Sequence, residues 1–206
     1  MFIDCIIYLI KLRGCGCFIG SMYMKFKYCP ICGRKLEEKY SWDEGGVPYC
    51  PKDDIMFFDT PTPCVIVAVI NKDQILLLKQ SYIYKNSKVL LSGYVTNGET
   101  VEQTVHREVF EESGLKVKDL KYLGSEYVSN NKKEIIMLTF MAKYDGGKIK
   151  KSSEVEWVNW SHIEDALCEM KEDEVGKRIV RKVLKELNYT GKKAYRCDDN
   201  SCDRDV

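Results

Sequence analysis

Glu108, Glu111 and Glu112 crowd three carboxylates into a segment, "REVFEES", whose other positions read as helix. At about 3.6 residues per turn, i+3 and i+4 neighbours lie above one another, so the three acids share a face about 100° wide. Val101 and Val105 fall on that same side, with Val109 beside it. The ridge that should seat this helix on a core therefore runs directly into acid. Carboxylates at a core edge repel one another and resist desolvation. Arg107 can pair with Glu111 at i+4, but one cation does not offset three acids. A hard divalent ion does: carboxylate oxygens, completed by water and a substrate phosphate, suit Mg²⁺ or Mn²⁺. The plain alternative is a solvated acidic turn in a Glu-rich helix.

A second chemical group lies near the start of the chain. "YCPICGRKL" has the C-x2-C-G form of a zinc knuckle, in which the glycine permits a tight turn and the Cys29 and Cys32 thiolates can face one ion. Downstream, "PYCPKDD" places Cys50 for a second knuckle, and Asp53 stands where a fourth cysteine would. Zinc accepts carboxylate oxygen, so Cys29, Cys32, Cys50 and Asp53 form the expected set. A ribbon without metal is the alternative, because structural zinc sites favour Cys and His.

The elements around these residues are legible from pattern. Thr100 with Gln103 makes a capping box, the valines recur at i, i+4 and i+8, and Gly114 is a natural stop, so a helix is expected over about 101–113. Before it, "CVIVAVI" and "QILLLKQ" are apolar runs joined by "NKD", a hairpin signal, and "SKVLLSGYV" reads as a third strand ending in a glycine turn. After it, "LKYLGSEYVS", "EIIMLTFMAKY" and "EVEWVNW" read as strands. Ser161 and Glu164 predict caps of a short helix, which would put His162 in its first turn. Val175, Ile179, Val183 and Leu187 predict a final amphipathic helix. Strands and hairpins around one internal helix, with helices at the end, argue for a mixed α+β or α/β/α layered domain.

Residues 24–60, rich in Cys, Gly and Pro, read as a small separate unit, followed by one domain over 61–188 and a disordered polar tail at 189–206. Residues 1–23 hold an apolar run broken by Asp4 and Lys11, shorter than the roughly 20 residues of a spanning helix. They read as a leader, or as translation begun upstream of Met22 or Met24. The 206-residue chain carries 32 Lys and Arg against 31 Asp and Glu. Its net charge of +1 gives no global attraction to nucleic acid or membrane, so any electrostatic function is local. Two of the ten cysteines form the tight C-x2-C pair and the rest are scattered, which favours a mostly reduced, cytoplasmic chain over a disulfide framework.

The spacing from Gly93 through Glu99 to "REVFEESGL" resembles the Nudix box, Gly-x5-Glu-x7-Arg-Glu-U-x-Glu-Glu-x-Gly-U, where U is a bulky apolar residue. Gly93, Glu99, Arg107, Glu108, Val109, Glu111, Glu112, Gly114 and Leu115 match it without a gap. The resemblance implies an α/β/α sandwich and Mg²⁺- or Mn²⁺-dependent hydrolysis of a nucleoside diphosphate linked to another moiety. It implies that Glu108, Glu111 and Glu112 hold the metal, joined by the Gly93 carbonyl, and that Arg107 orients the glutamates. "SSEVEWVNW" resembles the family's later Glu-Val-x4-Trp segment, making Glu154 a candidate further ligand or base; an exposed acid at a strand end is the alternative. The ribbon followed by this domain resembles the NADH pyrophosphatase branch over about residues 28–165. That branch's Ser-Gln-Pro-Trp-Pro-Phe-Pro-x-Ser array is missing here, so NAD(H), ADP-ribose, a nucleoside diphosphate sugar and a modified nucleotide all remain open. Relatives of this kind are commonly homodimers. A different class of function, a ribbon that binds nucleic acid through Lys25, Lys27, Arg34 and Lys35 beside a domain that only senses a nucleotide, would tolerate loss of the glutamates, yet all are present.

Overall fold

The structure is a computed structural model and describes residues 26–80, 84–129 and 133–190. The expected leader at 1–23 and the tail from 191 onward lie outside the described residues. The first unit is a three-stranded antiparallel sheet of β1 (Glu37–Ser41), β2 (Gly45–Cys50) and β3 (Ile55–Met56), in that spatial order.

The main sheet is built on β4 (Thr62–Asn71), the "CVIVAVI" run. It forms an antiparallel hairpin with β5 (Gln74–Lys79), with Ile70 opposite Ile75, and pairs antiparallel with β6 (Leu91–Tyr94). After α1 (Val101–Ser113), the long strands β7 (Leu115–Ser129) and β8 (Glu134–Gly147) form an antiparallel pair, and β8 runs parallel to β4. β9 (Trp157–His162) closes the far edge on β5, giving the order β7-β8-β4-β5-β9 with β6 attached to β4. α2 (Ala166–Glu169) and α3 (Glu174–Glu186) follow.

The unbroken apolar character of β4 and β5 has a simple cause: both faces are covered. Side chains alternate across a strand. Val65, Val67 and Val69, with Leu76 and Leu78, pack in one core with Val105 and Val109 of α1. Ile66, Ala68 and Ile70, with Ile75 and Leu77, pack in a second core with Ile179, Val180 and Val183 of α3. The result is the expected α/β/α sandwich around a mixed sheet.

Three details differ from expectation. The strand expected from residue 154 begins at Trp157, because its partner β5 ends at Lys79, directly opposite Trp157. Glu154 and Val155 have no strand to pair with and lie in the preceding loop. Ser161 and His162 do not begin a helix; they continue the ladder opposite Ile75 and Gln74, and α2 starts only after its N-cap position, Asp165. Tyr189, placed in the tail by composition, packs against the second core, and its hydroxyl donates to Glu164 at 2.9 Å.

Val105 is fully buried between α1 and the sheet. Val105→Ala should lower unfolding free energy by about 1–3 kcal/mol through lost burial and a residual cavity, measured by urea unfolding. An effect below about 0.5 kcal/mol would mean that α1 does not seat through this ridge.

Candidate active site

α1 carries most of the site, and its local sequence sets its limits. Thr100 accepts from the Gln103 backbone N–H at 3.3 Å, the Gln103 side chain accepts from the Thr100 N–H at 2.8 Å, and Gly114 ends the helix at a left-handed φ of 73°. Within those limits the valine ridge fixes the helix rotation. Glu108 and Glu112 are thereby buried, at 7% and 4% exposure, while the Glu111 side chain remains 57% exposed.

Burial of Glu108 depends on Gly93 in β6. A Cβ built at Gly93 would lie 1.9 Å from the Glu108 carboxyl carbon, so any side chain there would displace the glutamate. The carboxylate rests against bare strand backbone. Cys64, beside this in β4, is fully buried, and burial, then the charges of Glu108 and Glu112, push its thiol up to about 12.

Arg107 offsets part of the acid. Its Nε and Nη2 grip the two oxygens of Glu99 at 2.7 and 3.0 Å. Its Nη1 donates to Glu108 at 2.7 Å and to Glu111 at 3.1 Å, and Nη2 also reaches the Tyr94 carbonyl at 3.1 Å. The i+4 contact with Glu111 was expected. Glu99 was visible only as a motif position, and the structure supplies its contact: it grips the arginine from the turn before the helix. Hydrogen bonding from Arg107 holds the Glu99 carboxyl down to about 2. Glu108 is nevertheless raised, because burial outweighs the same guanidinium.

Glu112 lies beyond that cation's contacts. Burial, followed by the charge of Glu108, raises its carboxyl to about 8. Its Oε1 accepts from the Gln80 side-chain nitrogen at 3.2 Å, and its buried Oε2 has no hydrogen-bond partner among the described residues. A bare buried carboxylate oxygen is costly unless something coordinates it. Glu108, Glu111, Glu112 and Glu154, with Ser152 and Ser153, line one cavity of about 200 Å³. Oxygen-only donors around an open cavity fit a hard divalent ion that keeps room for water and phosphate. Glu154 reaches this cavity from the loop before β9, where its backbone N–H donates to the Ser152 hydroxyl at 3.3 Å. No local pattern in the sequence flagged Gln80, Cys64 or the two serines, because each meets α1 only through the fold.

The cysteine group also assembles. One donor atom from each of Cys29, Cys32, Cys50 and Asp53 lies within 4.8 Å of all the others, and the three thiols are free. The Cys29 and Cys50 thiols each donate to Asp53 Oδ2 at 3.1 Å, and the Cys32 and Cys50 sulfurs are 3.6 Å apart. A tetrahedral zinc shell has ligand edges of about 3.3–3.8 Å, so this cluster fits such an ion with little adjustment. The knuckle glycine, Gly33, takes a left-handed φ of 70°. Hydrogen bonding from the thiols, Cys32 first, holds Asp53 down to about 2, while Asp53 in turn raises Cys32 to about 11. The carboxylate is thus ionised and ready to ligate, whereas the thiols must lose protons to a metal.

Comparison with known proteins gives a consistent result. The family described as the NUDIX domain matches residues 60–185. Over 159 residues the chain is 35% identical to a Salmonella paratyphi C protein named NAD-capped RNA hydrolase NudC, covering 76% of this chain and 60% of that protein. It is 34% identical over 166 residues to the Escherichia coli O1:K1 / APEC protein of that name, covering 78% of this chain and 62% of that protein. The chain therefore spans about 60% of the length of these curated relatives. Among solved structures, a NUDIX hydrolase from Nitrosomonas europaea matches with a TM-score of 0.63 at 19% identity, over 80% of this chain and 94% of that one. The NUDIX domain of Shewanella oneidensis NrtR, solved with ADP ribose, matches with a TM-score of 0.54 at 17% identity, over 68% and 94%. At these identities the two structures show a shared fold.

The buried acids should make the metal-free protein pH-sensitive. Glu112 ionises less readily folded than unfolded, so stability should fall as pH rises from about 4.5 to about 8, with Glu108 adding in the same direction. Glu99 acts oppositely, and its contribution is lost as pH falls from about 4.5 toward 2. Thermal midpoints of chelator-treated protein should therefore decline across the neutral range. Saturating Mn²⁺ should remove most of that decline; an unchanged slope with Mn²⁺ would separate these acids from any metal.

Proposed function

This chain belongs to the Nudix family, and from that premise we propose that it is a Mg²⁺- or Mn²⁺-dependent hydrolase that cleaves the pyrophosphate bond of a nucleoside diphosphate derivative. The observation that carries the reading is buried Glu112, one of whose carboxylate oxygens has no partner among the described residues, beside Glu108 on a cavity lined by glutamates and serines. Glu108, Glu111 and Glu112, with the Gly93 carbonyl, are the candidate ligands. An ion held there would draw charge from the phosphoryl oxygens and lower the barrier to attack by water.

The chain's own residues divide the remaining work. Arg107, tied to Glu99 and the Tyr94 carbonyl, holds Glu108 and Glu111 in place while lowering their mutual repulsion. Glu154, which lines the same cavity, is the candidate for a further metal ligand or for the base that takes a proton from the attacking water. Water's oxygen bonds to phosphorus, the bridging P–O bond breaks, and the leaving phosphate departs with the bridging oxygen. Neither a Ser nor a Cys nucleophile is needed.

The unit at 24–60 is a zinc ribbon preceding a hydrolase domain at 61–188, with Cys29, Cys32, Cys50 and Asp53 as zinc ligands. The relatives named NAD-capped RNA hydrolase favour a substrate built on NAD, either free or joined to RNA, and a homodimer remains part of the reading. Among the described residues, no helix is long and apolar enough to cross a membrane; Cys29, Cys32, Cys50 and Cys64 are free thiols whereas Cys168 is disulfide-bonded, and a cytoplasmic location belongs to the reading on the scatter of the cysteines alone.

A substrate panel of NAD⁺, NADH, ADP-ribose, UDP-glucose, 8-oxo-dGTP and NAD-capped RNA should show Mn²⁺-dependent turnover on at least one NAD-derived member. No turnover on any, together with salt-sensitive binding to RNA or DNA, would replace this reading with a nucleic-acid-binding one. Glu111→Gln and Glu112→Gln should each lower kcat at least about 100-fold, some 2.7 kcal/mol of barrier, with the fold retained by circular dichroism. Near-normal rates in both variants would remove the acids from catalysis. Metal analysis of the purified chain should find about one zinc, and Asp53→Ala should lower that occupancy. A folded, active, zinc-free protein would reduce the cluster to a hydrogen-bonded turn.

A further inference from the structure

Gln80 lies one residue beyond the end of β5, 32 positions from Glu112 in sequence, and is only 4% exposed. It follows the apolar run Ile75–Leu78, all of it fully buried. A buried amide in such a place needs a polar partner. Its partner is Glu112: the Gln80 side-chain nitrogen donates to Oε1 at 3.2 Å while Oε2 stays bare. In the ionised form that a cation would require, Glu112 only accepts, so the amide must then present its nitrogen, and the contact distinguishes one carboxylate oxygen from the other.

The same strand end anchors the segment that carries Glu154. The Lys79 carbonyl accepts from the Glu156 N–H at 2.9 Å, and Lys79 stands opposite Trp157 in the ladder. Glu154, two residues before Glu156, lines the cavity with Glu112. One strand terminus therefore contacts Glu112 through a side chain and the segment carrying Glu154 through backbone.

We propose that Gln80 is a positioning residue for the divalent cation: it occupies Glu112 Oε1, locks the carboxylate's rotation, and leaves Oε2 as the oxygen presented to the ion. The inference rests on the reading of Glu108, Glu111 and Glu112 as cation ligands. Mg²⁺-sized ions tolerate little departure from octahedral geometry, so a ligand ordered beforehand binds better than one ordered by the ion. Hydrogen-bond partners of metal ligands are typically worth about 10–100-fold in affinity. Glu111, largely exposed, is held among the described residues by Arg107 alone, which makes a fixed Glu112 the more important anchor.

The test is Mn²⁺ titration of the full chain by electron paramagnetic resonance, without substrate, for the parent and Gln80→Met, each in the native and Glu112→Gln backgrounds. Gln80→Met keeps length and removes the donor. It should weaken Mn²⁺ binding about 10–100-fold in the native background and less than about threefold beside Glu112→Gln, because its effect passes through Glu112. In turnover, kcat should recover at saturating Mn²⁺. Native-like affinity in Gln80→Met, or an equal loss in both backgrounds, would overturn the proposal and leave Gln80 a structural amide. If the metal-free thermal midpoint shows that Gln80→Met does not fold, Gln80→Leu is read the same way. A parent chain that binds no Mn²⁺ would overturn the cation-site reading itself, a result distinct from either of these.

Discussion

Two carboxylates, Glu108 and Glu112, are held out of water where α1 meets the sheet, and among the described residues Arg107 hydrogen-bonds Glu108 but not Glu112. Much of the surrounding architecture follows from keeping them there. Gly93 has no side chain because Glu108 occupies the space one would need. Glu99 grips Arg107 so that the guanidinium points back along α1 to Glu108 and Glu111. Gln80 gives Glu112 one hydrogen bond and leaves its other oxygen bare. Each contact keeps charge where an apolar core would exclude it, and together they leave a deficit of positive charge that a divalent cation matches.

The sandwich supplies the rigidity this requires. β4 and β5 are covered on both faces, one by α1 and the other by α3, so the strand ends that meet the acids cannot shift without disturbing two cores. The acids lie on a helix and the elements facing them are strand ends, with only the Glu154 segment belonging to a loop. This arrangement suits a site whose chemistry is mainly electrostatic, since donors fixed in advance need no reorganisation as charge develops. The first, three-stranded unit is ordered differently. Its short strands enclose few apolar residues, and Cys29, Cys32, Cys50 and Asp53 link its Cys29–Cys32 and Cys50–Asp53 turns through hydrogen bonds.

Much of this was legible in the chain. The capping box at Thr100 and Gln103, the valine spacing and Gly114 mark out α1, because each is a local signal acting within one or two turns. The spacing of Glu108, Glu111 and Glu112 and the C-x2-C-G turn are local in the same sense, so their chemistry could be read before any fold was known. Where expectation and structure part, at the start of β9 and of α2, the cause is pairing. Trp157 to His162 are strand because β5 lies alongside them, and nothing within the segment itself states where that partner ends.

Only the tertiary structure decided which acids are buried, which oxygen is bare and what holds each in place. Glu108 and Glu111 look alike in sequence, yet one rests on the backbone of Gly93 and the other faces solvent. Gln80 reaches Glu112 across 32 residues because β5 ends where α1 packs, a coincidence of two separate elements that no periodicity encodes. Residue type and spacing settled the kind of chemistry, since these are properties of neighbouring side chains. Desolvation and geometry depend on the packing of distant segments, and so they were fixed only when the chain folded.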